Sequence, residues 1–416
     1  MENPTLSLQK NILWNSAGSF IYLFFQWLIS YLVARLLGFE NAGIFSLAIS
    51  ISSAAFAFAI YGVRGYQVSD ASKKYSDKSY VIARLVTCLL SIVGCSVYLA
   101  LNNYGLYTIS CITLYLMFKM SEAYVDVYHG IIQRSMRMDY IGKSFILRGV
   151  VCNLLFILTA ISTKNLLLSI GILALSSFTL IFIYDYRKVN LFYERSEGTS
   201  RKKIYSLLLE CLPLAVYTLL SSLVMSIPRI SLESIKGSEI LGIYASIAIP
   251  AAVIQVLAGY IFSPMLTIFA EHVNQKLYKK FYHLLFKTIL YISLASVVII
   301  IGGIIFGRLG LVILFGQGIS SYTYLFLPIL FISSLTALSW FIGLMLTVLR
   351  EFKGLIIASV TSLAICYFGS SLFILHFGIN GTSLILIVAL VVQIVIMSIF
   401  MAMRLKKYNA EYNRER

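Results

Sequence analysis

Long apolar runs separated by short polar punctuation fill this chain from end to end. A window of about 19 residues, the length that crosses a bilayer as a helix, finds twelve candidate spans. They lie near 12–37, 42–63, 80–101, 106–128, 145–162, 166–186, 204–227, 241–262, 284–306, 321–348, 355–376 and 382–403. Connectors as short as "GFEN", "NNYG", "STKN" and "FGING" leave room only for joining adjacent antiparallel helices. The first apolar run is too long for the core of a cleavable signal and lacks a small-residue cleavage pattern, so it is expected to stay as the first span.

The punctuation repeats. "GFENAGIF" (Gly38 to Phe45) and "GSEILGIY" (Gly237 to Tyr244) both read Gly-x-Glu-x-x-Gly-Ile-aromatic, and both fall between the first and second spans of a half. Glycine supplies a tight turn and glutamate suits a first helical turn, so either copy alone needs no common origin. Their matching place along the chain favours an internal repeat, which "RMDYIGKS" and "REFKGLIIAS" echo more faintly. The basic, polar stretch "RKVNLFYERSEGTSRKK" reads as a linker at 187–203, between an N-terminal lobe at 1–186 and a C-terminal lobe at 204–403, with a basic tail at 404–416. An even number of spans in each half makes the repeat parallel, about an axis along the membrane normal. The expected fold is therefore an all-α polytopic membrane protein, with about twelve transmembrane helices in two six-helix lobes around a central cavity. Pro213, Pro250 and Pro328 fall in spans of the second half alone, which predicts a stiffer first lobe and a more bendable second one.

Composition agrees with lipid as the main solvent. Hydrophobic residues are 59% of the chain, charged residues 12%, and the mean hydropathy is +0.88. Of the 33 Lys and Arg, 24 fall at the termini and in every second loop, only four in the alternate loops, and five inside spans. This bias puts both termini in the cytoplasm. The net charge of +16 is then mostly a topology signal placed near anionic headgroups, and needs no nucleic acid as partner. The six cysteines sit in or beside apolar runs without a CxxC pair, and the four histidines lack metal-ligand spacing, so neither a metal nor another cofactor is expected.

Charges inside spans carry the functional reading, because each is costly in lipid and needs water or a partner. In "FKMSEAYVDVYHGIIQ", Lys119, Glu122, Asp126 and Gln133 share one helical face, with His129 beside it. Glu122 is one turn from Lys119 and one turn from Asp126. The face suits proton or cation coupling through Glu122 and Asp126, a structural ion pair, or direct substrate contact. A polar stripe in the first span holds Asn15, Ser19, Tyr22, Gln26 and Ser30, and a thinner one in the seventh holds Glu210, Tyr217 and Ser221. Such stripes serve as cavity walls or as interhelical hydrogen-bonding seams. Tyr22 and Tyr217 would stack on sugar rings in the first case. Arg64, Arg84, Arg148 and Lys287 lie near cytoplasmic span ends, where each snorkels to headgroups or all together ring an inward-facing mouth. Guanidinium forks match phosphate oxygens, so such a ring would gather a diphosphate. Arg35 and Arg229, toward the other side, would guard the exit.

The segments "NILWNSAGSF", "ARLLGFENAGIFSLAIS" and "YGVRGYQVSDASKKYSD" resemble the polysaccharide-transporter branch of the multidrug/oligosaccharidyl-lipid/polysaccharide exporter superfamily, and within it the Wzx-type O-antigen flippases. The resemblance covers the whole chain in span count, length and layout. It implies a secondary transporter, not an enzyme, of a bacterial inner membrane. Such a protein moves an undecaprenyl-diphosphate-linked oligosaccharide from the cytoplasmic to the periplasmic leaflet, coupled to a proton or cation gradient, with transient contact to glycan polymerase machinery. The matching motifs place Arg35 in "ARLLG" and Arg64 in "GVRGYQVSD". A cation-coupled multidrug exporter of similar architecture would favour acidic cavities, yet spans one to three hold no carboxylate. A glycan polymerase or ligase needs a catalytic outer surface, whereas the outer loops near 228–240 and 307–320 are short and lack histidine.

Overall fold

The computed structural model describes residues 6–70, 74–193, 200–275 and 277–414. Lys73, Arg195, Lys276 and Arg416 of the basic loop set, and part of the 187–203 segment, lie outside them.

Fourteen α-helices form the described chain: α1 (Leu8–Ile60), α2 (Val63–Ser69), α3 (Asp77–Leu101), α4 (Leu106–Arg134), α5 (Met138–Leu147), α6 (Asn153–Thr163), α7 (Leu166–Leu180), α8 (Tyr186–Val189), α9 (Arg201–Lys236), α10 (Ser238–Asn274), α11 (Tyr278–Phe315), α12 (Phe326–Val348), α13 (Phe352–Phe377) and α14 (Asn380–Arg414). Two π-turns, Arg148–Cys152 and Ile181–Asp185, join α5 to α6 and α7 to α8, and a 3₁₀ stretch, Gln317–Leu325, precedes α12. Nine helical stretches among the described residues are long and apolar enough to cross a membrane. Dividing the first of them at a bend in α1, and adding the charged α4 and α10, accounts for the twelve expected spans.

The bend in α1 is at Gly38, with φ 86° and ψ 170°, and α10 starts from Gly237 at φ 84° and ψ 168°. The repeated sequence turn is thus a repeated backbone turn, in a region of φ/ψ space open to glycine alone. Later corners also recur. Met136 and Arg350 take positive φ just before α5 and α13, and Lys164 and Gly378 do so just before α7 and α14, each pair 214 positions apart. At the first of these corners Arg137 N–H bonds back to Ile132 C=O, and at the second Glu351 N–H bonds back to Leu346 C=O. Both close a helix with the same six-to-one bond, which satisfies carbonyls the helix leaves orphaned.

The chain packs as two compact units, residues 1–222 and 223–416, with the division inside α9. Pro213, expected in a bendable second half, therefore lies in the first unit, and α9 stays helical through it. Pro328 is the third residue of α12, in the first turn, where a missing N–H is tolerated.

Each unit turns apolar side chains outward. Leu89, Val93 and Val97 make one exposed row on α3, and Val297, Ile301, Ile304 and Ile305 cover α11. Polar groups go inward, with Arg84, Asp77, Arg148 and Asp185 buried, the reverse of a water-soluble bundle. Close backbone approach supports this packing. A Cβ on Gly142 of α5 would lie 2.3 Å from the Trp14 carbonyl oxygen of α1, the kind of contact small residues permit between membrane helices. Nearby, the Asn11 side chain donates to Met136 C=O at 3.0 Å and accepts from Met138 N–H at 2.7 Å, pinning the start of α1 to the α4–α5 corner. All six cysteines are buried and unpaired.

Candidate functional site

The polar face of α4 is the spine of the first unit. From Lys119 to Gln133 it covers about 21 Å at 1.5 Å per residue, most of a hydrocarbon core about 30 Å thick. The residues expected on this face meet partners from neighbouring elements in three clusters.

The first is a fork on Asp126. Arg64 of α2 donates to Asp126 Oδ1 at 3.1 Å, and Arg84 of α3 donates to Oδ2 at 2.8 Å. Arg64 also holds the Gln133 Oε1, at 3.1 Å from Nε and 2.8 Å from the second terminal nitrogen. Arg84 is fully buried and sends its other nitrogen to Ala59 C=O at 2.6 Å, where Thr87 also donates at 2.7 Å. Ala59 lies in the last turn of α1, whose free carbonyls attract a cation. This overturns the snorkelling reading of Arg84: a half-buried carboxylate and an orphan helix end outweigh the nearby headgroups. Arg64, by contrast, keeps 24% of its side chain exposed.

The second cluster is centred on Glu122. Lys119 donates to its Oε2 at 2.7 Å and the Tyr22 hydroxyl of α1 donates to its Oε1. The Lys119 ammonium also lies 5.1 Å from the Phe118 ring centre and 5.6 Å from that of Phe56. Aromatic faces and one carboxylate thus hold this cation inside the unit.

The third joins the two π-turns. Arg148 opens one and Asp185 closes the other, and they pair at 2.7 Å with both side chains 3% exposed. Ser144 donates to the second Asp185 oxygen at 2.6 Å, Arg148 donates to Ser177 at 2.6 Å, and His129 Nε2 stands 4.0 Å from Asp185. Arg148 therefore does not snorkel either. The extra residue of a π-turn re-aims side chains, which is why such turns gather at functional positions.

Other expected residues fall elsewhere. Gln26 donates to Asn153 of α6 at 3.1 Å, so it serves as an interhelical hydrogen bond. Tyr217 neighbours Ser221 one turn along α9. Glu210, of the thinner stripe, meets Lys74 at 2.6 Å, Tyr75 at 2.8 Å and the Tyr66 hydroxyl, tying α9 to α2 and to the segment after it. The hydrogen bond to Glu210 raises the Lys74 ammonium pKa above its ordinary value. Arg35 is exposed, without an ion-pair partner among the described residues, and Lys287 is exposed on α11 with its ammonium 5.8 Å from the Tyr291 ring centre. Arg35 shares no cluster with the arginines of α2 and α3 among the described residues. Sequence reading missed Asp185 and Asn153. A carboxylate at the end of the sixth span was the available signal for Asp185, hidden beside the basic run that follows it.

Across the three clusters, Arg64, Arg84, Lys119 and Arg148 face Glu122, Asp126 and Asp185, four cations against three carboxylates. The surplus charge falls on the fork, where two guanidiniums share one carboxylate and the more exposed one is able to take another anion.

Residues 8–273 match the family model described as polysaccharide biosynthesis protein. The capsular polysaccharide biosynthesis protein CapF of Staphylococcus aureus is 26% identical over 246 residues, which span 58% of this chain and 60% of that protein. The match thus runs over less than two thirds of that relative. Among solved structures, the inward-facing form of a multidrug resistance MATE family transporter of the MOP superfamily superposes with a TM-score of 0.64 at 14% identity, over 97% of this chain and 96% of that one. A mutant of the Vibrio cholerae MATE transporter VcmN gives 0.66 at 13% identity, over 96% and 95%. At these identities the likeness is one of fold.

Proposed function

The chain belongs to the polysaccharide biosynthesis protein family, and from that premise we propose that it flips a lipid-linked glycan precursor across a bacterial inner membrane by alternating access. The cargo in this reading is an oligosaccharide on a polyprenyl diphosphate such as undecaprenyl diphosphate, taken from the cytoplasmic leaflet and released to the periplasmic one. An O-antigen repeat unit is one such cargo, and the name of the Staphylococcus aureus relative adds capsular polysaccharide as another.

One observation carries the proposal: Arg64 and Arg84 share the single carboxylate of Asp126, and Arg64 remains partly exposed. A diphosphate oxygen is the natural second anion for that guanidinium, since planar N–H forks bind phosphate in a bidentate way. Lipid tails stay in the bilayer while the charged headgroup and sugars follow the polar face of α4. Buried ion pairs give little net stability, so a stripe of them is better understood as serving the cargo than the fold. A cationic drug would need a free carboxylate, whereas Glu122, Asp126 and Asp185 are each bonded to a cation already.

Coupling to a gradient is assigned to Glu122, held between the Lys119 ammonium and the Tyr22 hydroxyl. Protonating it would release Lys119 for the cargo, and cargo release would return the ion pair. The test is surface glycan in cells that depend on this protein. Arg64→Ala and Lys119→Ala should each abolish display while the protein stays in the membrane at wild-type level. Normal display in both variants would remove the charged face from the mechanism.

A further inference from the structure

The second unit contains a cation the reading above does not use. Arg229 of α9 borders a cavity of ≈ 50 Å³, lined also by Met225, Tyr244, Ile332, Ser333 and Leu386. Its Nε is buried without a hydrogen-bond partner, and no carboxylate lies within ion-pair distance of it among the described residues. Glu233 is one turn further along α9, at the spacing that usually pairs, yet it accepts from the Ser238 hydroxyl at 3.0 Å. Every arginine and lysine of the three clusters in the first unit has its carboxylate. Arg229 has none.

A half-buried guanidinium with an unpaired Nε and no carboxylate beside it is costly unless an anion arrives to meet it. We propose that the Arg229 cavity is a binding site for a phosphoryl oxyanion, the phosphate end of a polyprenyl diphosphate or of an anionic phospholipid. Size supports this. The cavity of ≈ 50 Å³ is several times the roughly 10–15 Å³ that one water needs, which leaves room for a tetrahedral phosphoryl group. Chemistry supports it too. The buried Tyr244 hydroxyl shares a 3.1 Å hydrogen bond with Ser383. When Ser383 donates, the phenol proton is free to turn toward an oxyanion, and Ser333 adds a hydroxyl to the wall.

Depth agrees with a phosphate. α9 is 36 residues long, about 54 Å at 1.5 Å per residue, against a hydrocarbon core of about 30 Å. Arg229 is about 10 Å from the C-terminal end of α9, so with α9 centred in the bilayer it stands just outside the hydrocarbon core, where phosphate groups lie. Apolar walls on either side lower the local dielectric and strengthen its pull on an anion.

The site needs only the cavity and its cation, so it goes beyond the transport reading and is tested apart from it. Purified full-length protein in detergent is titrated with farnesyl diphosphate, with a short-chain phosphatidylglycerol and with farnesol as the uncharged control. Binding is followed by native mass spectrometry and by the thermal unfolding midpoint. Wild type should bind one or both phosphoryl ligands and not farnesol. Arg229→Gln should weaken that binding by about 10–100-fold, the loss expected for charge-assisted hydrogen bonds. Ser333→Leu, which fills the cavity and leaves the cation in place, should weaken it comparably, so the result does not hang on one variant. Loss confined to farnesyl diphosphate names the prenyl diphosphate as the source, and loss confined to phosphatidylglycerol names the bilayer. Unchanged affinity for both ligands in both folded variants would overturn the site. With glycan display still abolished by Arg64→Ala, that outcome would leave the transport reading standing.

Discussion

Asp126 sets the energetics of the charged face one residue at a time. Arg84, fully buried, depends on it, and so does one of the three Arg64 hydrogen bonds. Removing one partner of a buried pair strands the other charge, at a cost of about 3–5 kcal/mol. Asp126→Asn should therefore lower the unfolding midpoint in detergent well below that of Arg64→Gln, which leaves the Arg84–Asp126 pair intact. Arg64→Gln should instead keep most of its stability, within about 1 kcal/mol, and lose glycan display. Equal midpoints for the two variants would show that Arg84 finds its compensation elsewhere. At Glu122 the expected separation is between coupling and folding. Glu122→Gln keeps the shape that accepts from Tyr22 and removes the charge that holds Lys119. Gradient-driven uptake in vesicles should stop, and an unaltered pH dependence of uptake would argue against the coupling role.

The helix corners are where element-scale information was written twice. Gly38 and Gly237 differ by only 2° in φ and 2° in ψ, although only some of the residues around them are shared. A side chain in that region costs about 1–3 kcal/mol. Gly38→Ala and Gly237→Ala should each lower the unfolding midpoint, by similar amounts, with no free space gained or lost around either Cβ. A harmless substitution at one of them would mean that its corner yields to the side chain. The π-turns behave differently. Nothing in the local sequence near Arg148 or Asp185 announces an extra residue per turn, and the pairing that the two turns bring about links positions 37 residues apart. Such turns are a consequence of packing, which is why periodicity alone did not find them.

For the molecule as a whole, lipid dictates the design. Apolar rows face out, most of the charges on α3 and α4 are turned into the first unit, and the basic loops alternate with nearly uncharged ones. By the positive-inside rule that alternation predicts both termini on the cytoplasmic side. A reporter active only in the cytoplasm should accordingly be active when fused after Arg416 and silent when inserted in the loop near Gly316. The opposite pattern would reverse the direction of transport in the proposed cycle, because the Arg64 side would then face the periplasm. The shared fold with multidrug exporters marks how far architecture goes toward function. A fold of this kind can host different sites, so the cargo has to be argued from the site residues rather than from the helical frame.

The sequence by itself determined the spans, the internal repeat and the charged face of α4. Bilayer thickness sets a length that hydropathy reveals, positive φ demands glycine at particular corners, and a period of 3.6 residues puts Lys119, Glu122 and Asp126 on one side whatever surrounds them. Only the tertiary structure decided the partners. Arg84 and Arg148, local candidates for headgroup contact, turned inward to Asp126 and Asp185, Gln26 went to Asn153, and Arg229 was left beside a cavity. A charge near the end of a span has two low-energy destinations, the headgroups outside or a counter-charge inside. Which one wins depends on the helix packed against it, and that neighbour is set by long-range contacts with no trace in the local pattern.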